Sequence, residues 1–478
     1  MSDYRDDYDA VRAPRRPRWL LRSLLLAPLL LLTCAGLLWW TQGRTVANMI
    51  AAIRERGEPV TPAEVEAFYV RPPADKDTTR LWTTATAKLS AAGQSTDISK
   101  LPFIGSQGTD PPPPGQPWQE LAASDQFLKN QAASMQMLHE ASAQGGAARY
   151  PTDFSQGFMM LLLEVQNLRT GARCLAMEAY VRAHQGNAAG TAESLRAIHA
   201  LSRSLENEPL IVSQLVRIAI CGMADAYIKE LLPAVQFSDA DLARLEEETQ
   251  ATDFQPALHR AMLGERVMGI VTFDNPAGLG LTGPASWASR IVRGRDLPAY
   301  LSIMEDYAAA TSKPWPATLT ETKQVSQQLP GRMGRFNILT QQLVPALDAA
   351  TNAAARGTAQ CRVTALAIAL ERYRRANGKP AAQLDDLAPK FINKVPLDPF
   401  TGDPFHYQLS DAGYVVYSLG GIKTPQNTDA ETGALESLLF RWPAKPKPAP
   451  APDDADEPTP DVDDAAPNAN VAAPDSKS

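Results

Sequence analysis

The residues best equipped for chemistry in this chain are five histidines and four cysteines, set among 53 acidic and 46 basic residues. His139, His184, His199, His259 and His406 are scattered, and none stands in an H-E-x-x-H frame that would put two ring nitrogens on one helix face for zinc. His184 and His199 flank an expected helix break, where either could meet a carboxylate such as Glu178 or Glu193. Histidines satisfied by hydrogen bonds within the fold are the simpler reading. Cys34, Cys174, Cys221 and Cys361 form no C-x-x-C pair, so neither a zinc knuckle nor a dithiol redox motif is encoded. Cys34 lies in an apolar run. If the rest of the chain is outside the cytoplasm, Cys174 and Cys221 could bridge two helices; otherwise the three cysteines serve as small buried hydrophobes.

Other catalytic signatures are missing from the sequence. There is no G-x-S-x-G nucleophile elbow and no phosphate-binding loop. Gly278-Leu279-Gly280 follows no strand and precedes no Lys-Ser/Thr pair. Glu246-Glu247-Glu248 reads as a solvated helix face. No catalytic or cofactor-binding residue is therefore assigned. With 478 residues, two or three domains are expected, and a net charge of −7 argues against nucleic acid as a partner.

Trp19 to Thr41 is apolar almost throughout and long enough to cross a hydrocarbon core of roughly 30 Å at about 1.5 Å per residue. Trp19, Trp39 and Trp40 sit where interfacial aromatics belong. Arg12, Arg15, Arg16, Arg18 and Arg22 crowd its N-terminal side, which predicts a cytoplasmic N-terminus and a chain outside the cytoplasm beyond it. Trp39-Trp40-Thr41-Gln42 offers no small-residue cleavage site, so a retained anchor is expected rather than a cleaved signal. Residues 1–18 form a cytoplasmic tail too short to fold.

Residues 42–355 read as a helical periplasmic domain. Val46, Met49, Ile50 and Ile53 make one stripe, and Thr61-Pro62 restarts a helix after Glu58-Pro59. Helices are expected over 158–185, 188–205 and 210–232, as neighbours in a bundle. The last is apolar enough to imitate a second span, but Gln214, Arg217, Asp225, Lys229 and Glu230 favour a buried soluble helix. Ser238 should cap a helix running to about Met268, and the Gly/Pro-rich 273–298 should be a loop. From Phe336 to Asn377 the pattern is helical, with a kink at Pro345 and a break at Ala355-Arg356-Gly357.

Residues 356–443 have a different plan. Asn377-Gly378 should end the long helix in a left-handed cap. A short helix over 383–387 follows, then turns around Pro396 and Pro399. Phe405, Tyr407 and Leu409 alternate as a half-buried strand, Tyr414 to Leu419 makes the second strand, and Leu438 to Trp442 adds a third. Residues 444–478 are rich in Pro, Ala and acidic side chains and should be disordered.

The order of these pieces resembles the C-terminal part of the type II secretion major pseudopilin. The resemblance is carried by Ala369, Leu370, Tyr373, Asn377, Gly378, Pro380, Leu384, Leu387, Pro396, Asp398, Pro399, Gly402, Pro404, Tyr407, Tyr417, Ser418 and Gly420. It spans Cys361 to Trp442 only. The family's peptidase site ahead of a Glu-bearing helix has no counterpart, so pilin processing and polymerisation are not implied. The family also holds calcium after its YSxG strand. The equivalent segment offers Asp429 and Glu431 as candidate ligands but no acidic cluster.

The expectation is a mainly α protein with an N-terminal transmembrane helix, a helical ectodomain and a small C-terminal α+β module carrying an antiparallel sheet. Its layout resembles that of single-pass bacterial membrane proteins. It should sit in the bacterial inner membrane and act through protein partners in the envelope, associated with a secretion or pilus-like system. The alternative is a periplasmic hydrolase whose site the sequence does not display.

Overall fold

The computed structural model describes residues 43–93, 98–275, 283–334, 337–420 and 435–443, with the backbone alone for 285–292. The expected cytoplasmic tail, membrane span, calcium candidates Asp429 and Glu431, and C-terminal tail lie outside the described residues. What is described is mainly α with one small antiparallel sheet.

The first helix, α1 (residues 43–55), buries Ile53 and lays Val46, Met49 and Ile50 against the core, as the stripe required. Thr61 caps α2 (Pro62–Phe68) through a reciprocal box: its side chain accepts from Glu64 N at 3.3 Å, while Glu64 accepts from Thr61 N at 3.0 Å. Then come α3 (Thr79–Ala92), α4 (Leu121–Asn130), α5 (Ala132–Ala143), α6 (Leu163–His184) and α7 (Ala188–Arg203). The α6–α7 connection is only Gln185-Gly186-Asn187. Gly186 supplies the positive φ of 74° that ends α6, and Asn187 caps α7 by accepting from Gly190 N at 2.9 Å.

α8 (Ile211–Leu231) is the apolar helix that could be mistaken for a span. It packs against α6, α7 and α10 (Gln255–Asp274), with Gln214, Arg217 and Asp225 buried within the fold. α9 (Asp239–Gln250) starts at the expected Ser238 cap, whose side chain accepts from Asp241 N at 3.1 Å. The single helix expected from there to Met268 is instead two helices. The chain turns after Gln250, Asp253 accepts from Gln255 N at 2.9 Å, and Pro256 sits in the first turn of α10, where its missing amide is harmless.

The expected loop to Pro298 is also corrected. α11 (Gly283–Thr311) begins well before it and carries Pro298 inside the helix. The stripe Leu297, Tyr300, Leu301, Met304 and Tyr307 is fully buried. At roughly 1.5–3 kcal/mol each, that burial outweighs the ~3 kcal/mol an internal proline costs. α12 (Ala317–Arg332) and α13 (Ile338–Leu343) follow. Pro345 stands at the cap of α14 (Ala346–Asn377) and separates it from α13.

No break interrupts α14 at Ala355-Arg356-Gly357. Gly357 is where the helix comes closest to its neighbours; a β-carbon there would lie 3.0 Å from both Ile218 and Phe254. The boundary expected at 355/356 falls within this helix. Gly378 ends it in the left-handed conformation, φ 71°.

A 3-10 turn (Leu384–Leu387) leads to β1 (His406–Ser410), β2 (Gly413–Tyr417) and β3 (Leu439–Trp442), paired antiparallel in the order β1-β2-β3. Tyr407 faces Val416, and Val416 faces Phe440 across the next ladder. β2, in the centre, is buried along its length. The half-burial expected of β1 holds for Phe405 and Tyr407 and fails at Leu409, which is exposed next to the turn into β2.

Two main cores result. One gathers α3 to α7, α9 and the sheet. The other gathers α1 and α10 to α13. α8 and α14 contribute to both: Ile220, Val363 and Leu366 belong to the first, and Ile211, Cys221, Leu347 and Cys361 to the second.

Candidate functional site

Where α7, α8 and α14 meet, four side chains with ligand or proton chemistry converge inside the protein. Cys221 and Asp225 are one turn apart on α8 and share its inner face. His199 comes from α7 and Cys361 from α14. Exposures are 2% for His199, 1% for Cys221 and 0% for Asp225 and Cys361.

Cys221 Sγ lies 3.3 Å from Cys361 Sγ, 3.6 Å from His199 Nδ1 and 4.0 Å from Asp225 Oδ2. His199 Nε2 lies 3.4 Å from Asp225 Oδ1, yet neither atom has a hydrogen-bond partner. Two orphaned polar atoms facing each other in a core are unusual, since each leaves a desolvation penalty of roughly 1–3 kcal/mol uncompensated.

Burial sets the charge state. It pushes the His199 imidazole down to about 3, helped by the Arg203 charge. It raises the Asp225 carboxyl, against the pull of the Cys361 thiol and Lys229. It also raises the Cys361 thiol, as do Cys221 and Asp225 beside it. Burial thus favours the uncharged form of each of these three groups. Next to it, Arg217 is fully buried over the Phe254 ring at 4.7 Å, its nearest carboxylate, Glu206, 3.8 Å away and its Nε unpaired.

The other histidines serve structure. Glu178 meets neither His184 nor His199; it takes His139 at 2.7 Å, Arg182 at 2.9 Å and the Ser194 hydroxyl at 2.8 Å. Glu193 pairs with Arg182. His184 contacts the Pro112 carbonyl at 3.0 Å and tilts against Trp118, His259 meets the Thr311 hydroxyl at 3.2 Å, and His406 stacks on Tyr417. The structure does not pair Cys174 with Cys221: all three described cysteines are free, and Cys174 is a buried thiol pushed up to about 12. The face expected at Glu246-Glu247-Glu248 is solvated at Glu247 only. Glu246 is buried with its carboxyl pushed up to about 7, and Glu248 holds Arg196 and Arg203.

Sequence reasoning could have found half of the cluster. Cys221 and Asp225 stand at helical spacing in an apolar helix, where a buried acid needs a reason. Nothing local joins them to His199 or Cys361.

None of the four lines a described cavity. One cavity, of 620 Å³, lies open between Asp306, Pro316, Thr320 and Gln328. Another, of 490 Å³, is lined by Glu246 and Glu247 without a histidine or nucleophile. On the surface, one apolar run stands out. Phe158, Met159, Leu161 and Leu163 are 38%, 55%, 78% and 63% exposed. The segment is pinned just before by buried Phe154 and by Gly157, whose φ of 55° presses it onto Thr272 of α10.

No protein-family model, curated protein or solved structure matches the chain.

Proposed function

We propose that this chain is a single-pass inner-membrane protein with a periplasmic helical body that acts by binding other envelope proteins, and that it has no active site of its own. The observation that carries the reading is the exposed run Phe158 to Leu163. Soluble surfaces scatter large apolar residues singly, and a contiguous group held out by a pinned turn suits contact with a partner. Asp153 and Glu164 flank the run, which disfavours an anionic lipid surface and favours an apolar protein face. The anchor and its orientation rest on the apolar span and the arginines before it. Association with a secretion or pilus-like assembly rests on the pseudopilin-like plan of 356–443. Against the hydrolase alternative stands the sealing of the His199 cluster, which no substrate can reach without local opening.

The test is photocrosslinking in intact membranes. A photoreactive residue at Leu161 should give discrete adducts with secretion or pilus-assembly proteins. Adducts with lipid alone, or with nothing, would overturn the interaction reading. Protease added from the periplasmic side should digest the body and spare residues 1–18; the reverse would overturn the topology.

A further inference from the structure

We propose that His199, Cys221, Asp225 and Cys361 form a closed four-ligand site for a divalent transition metal, zinc by its donor chemistry. One imidazole nitrogen, two sulfurs and one carboxylate oxygen are the ligands that borderline-soft zinc selects, and four protein donors with no open position mark a structural rather than a catalytic site.

The spacing fits. Two bonds of about 2.0–2.3 Å opened at a tetrahedral angle set donors roughly 3.3–3.8 Å apart. Cys221 Sγ lies 3.3 Å from Cys361 Sγ, 3.6 Å from His199 Nδ1 and 4.0 Å from Asp225 Oδ2, while the other nitrogen of the ring, His199 Nε2, lies 3.4 Å from Asp225 Oδ1. His199, Cys221 and Asp225 each offer one donor atom within 4.8 Å of the other two; closing on one ion asks the His199 ring to present a single nitrogen and Cys361, in contact with Cys221, to swing in as the fourth ligand.

The unpaired atoms point the same way. His199 Nε2 and Asp225 Oδ1 face each other without a hydrogen bond, and a cation between them would satisfy both. Charge also balances. Two thiolates and one carboxylate around a divalent ion leave one net negative charge, and buried Arg217 lies near both thiols, its nearest carboxylate, Glu206, 3.8 Å away. Binding sends the thiol protons, and that of Asp225 where it is held, to solvent. Loading belongs to folding, because the closed site has no channel. A bound ion would tie α7, α8 and α14 together at the seam between the two cores.

A Cys221–Cys361 disulfide is the competing fate of the two sulfurs. It would require them to close to about 2.05 Å, and it would leave His199 Nε2 and Asp225 Oδ1 still unpaired. The metal uses all four groups.

The experiment uses full-length protein in detergent, produced with zinc in the medium and purified without chelator. Elemental analysis should give one zinc per chain. Exchange into cobalt(II) should produce the near-ultraviolet sulfur-to-metal band and the strong visible bands of a tetrahedral thiolate site. Cys361→Ser and Asp225→Asn should lose the metal, while Cys174→Ser, at a buried cysteine outside the cluster, keeps it. Background zinc in the wild-type protein, a cobalt spectrum without the sulfur band, or a Cys221–Cys361 crosslink in the intact mass would each overturn the site. The wild-type measurements stand even if a variant fails to fold, and all of them are independent of whether a partner binds at Leu161.

Discussion

Tyr300 of α11 lies across the backbone of α10 at Gly269 so closely that a β-carbon on Gly269 would fall 2.1 Å from the phenol oxygen. That approach lets the Tyr300 hydroxyl donate to the Glu265 carbonyl at 2.8 Å. A glycine in mid-helix costs about 1 kcal/mol in propensity. Here it makes room for a fully buried tyrosine that also packs on Phe273, with ring centroids 5.4 Å apart.

Gly269→Ala should therefore destabilise the protein by about 1–3 kcal/mol, the usual range for overpacking, even though alanine is the better helix former. A β-carbon added at Gly331 in α12 would meet nothing within 4 Å, so Gly331→Ala should be neutral or gain up to about 1 kcal/mol. Urea unfolding of the two variants measures both, and equal stabilities would show that α10 and α11 pack less tightly than this contact requires.

Stability should fall as pH rises from about 6.5 to 8. Burial pushes Glu208 and Glu265 up to about 7, at the entrance of α8, where Glu208 accepts from Ser213 and Tyr69 and Glu265 accepts from Ile211 N at 2.9 Å. Their unfolded values are near 4.3. Between those limits the folded state holds protons that the unfolded state has released. The stabilisation is thus complete below the unfolded value and is lost as pH rises through 7. His199, held down to about 3, and His259, also lowered by burial, have the opposite sign only below about 6.5, so the fall between pH 6.5 and 8 belongs to the raised carboxyls, Glu246 adding to it. Denaturant titrations at pH 6.5 and 8 should show the drop, and Glu265→Gln should flatten it. A wild-type stability that rises over this interval would contradict the burial of these carboxyls.

Arg266 is fully buried and reaches Glu58 at 2.8 Å, Glu305 at 2.6 Å and the Pro59 carbonyl at 3.2 Å, tying the segment after α1 to α10 and α11. Arg266→Met should cost about 2–4 kcal/mol, less than a fully sealed pair because both carboxylates keep some water. Combining it with Glu305→Gln should cost less than the sum of the two single changes, by about 1–2 kcal/mol. Strict additivity in thermal or urea unfolding would mean the pair carries no coupling.

Leu161→Asp and Leu163→Asp should leave stability within about 0.5 kcal/mol of wild type, because these side chains have little packing to lose. The same changes should abolish crosslinks at this face. A large loss of stability would show that the run is packed in the native protein and not a contact surface.

Much of the architecture is legible in local sequence because local chemistry writes it. Thr61, Asn187 and Ser238 cap their helices, Gly378 closes α14, and the three strands lie where apolar and β-branched residues predict them. The misreadings share one cause. Pro298 and Gly357 look like breakers when only their neighbours in sequence are weighed. Each sits in a helix because distant packing dominates: the buried stripe of α11 in one case, Ile218 and Phe254 in the other. Leu409 errs the other way, since alternation cannot say how far along a strand the packing against the core extends.

The sequence by itself determined the helical class, the order of elements, the apolar segment expected to cross a membrane, and the absence of any catalytic motif. Only the tertiary structure decided that Cys221 belongs with Cys361 and His199. Capping and periodicity act over three or four residues, where the chain itself holds groups together. Cys221 and Cys361 are 140 residues apart, and they meet only because α8 and α14 bury their small-residue faces against each other.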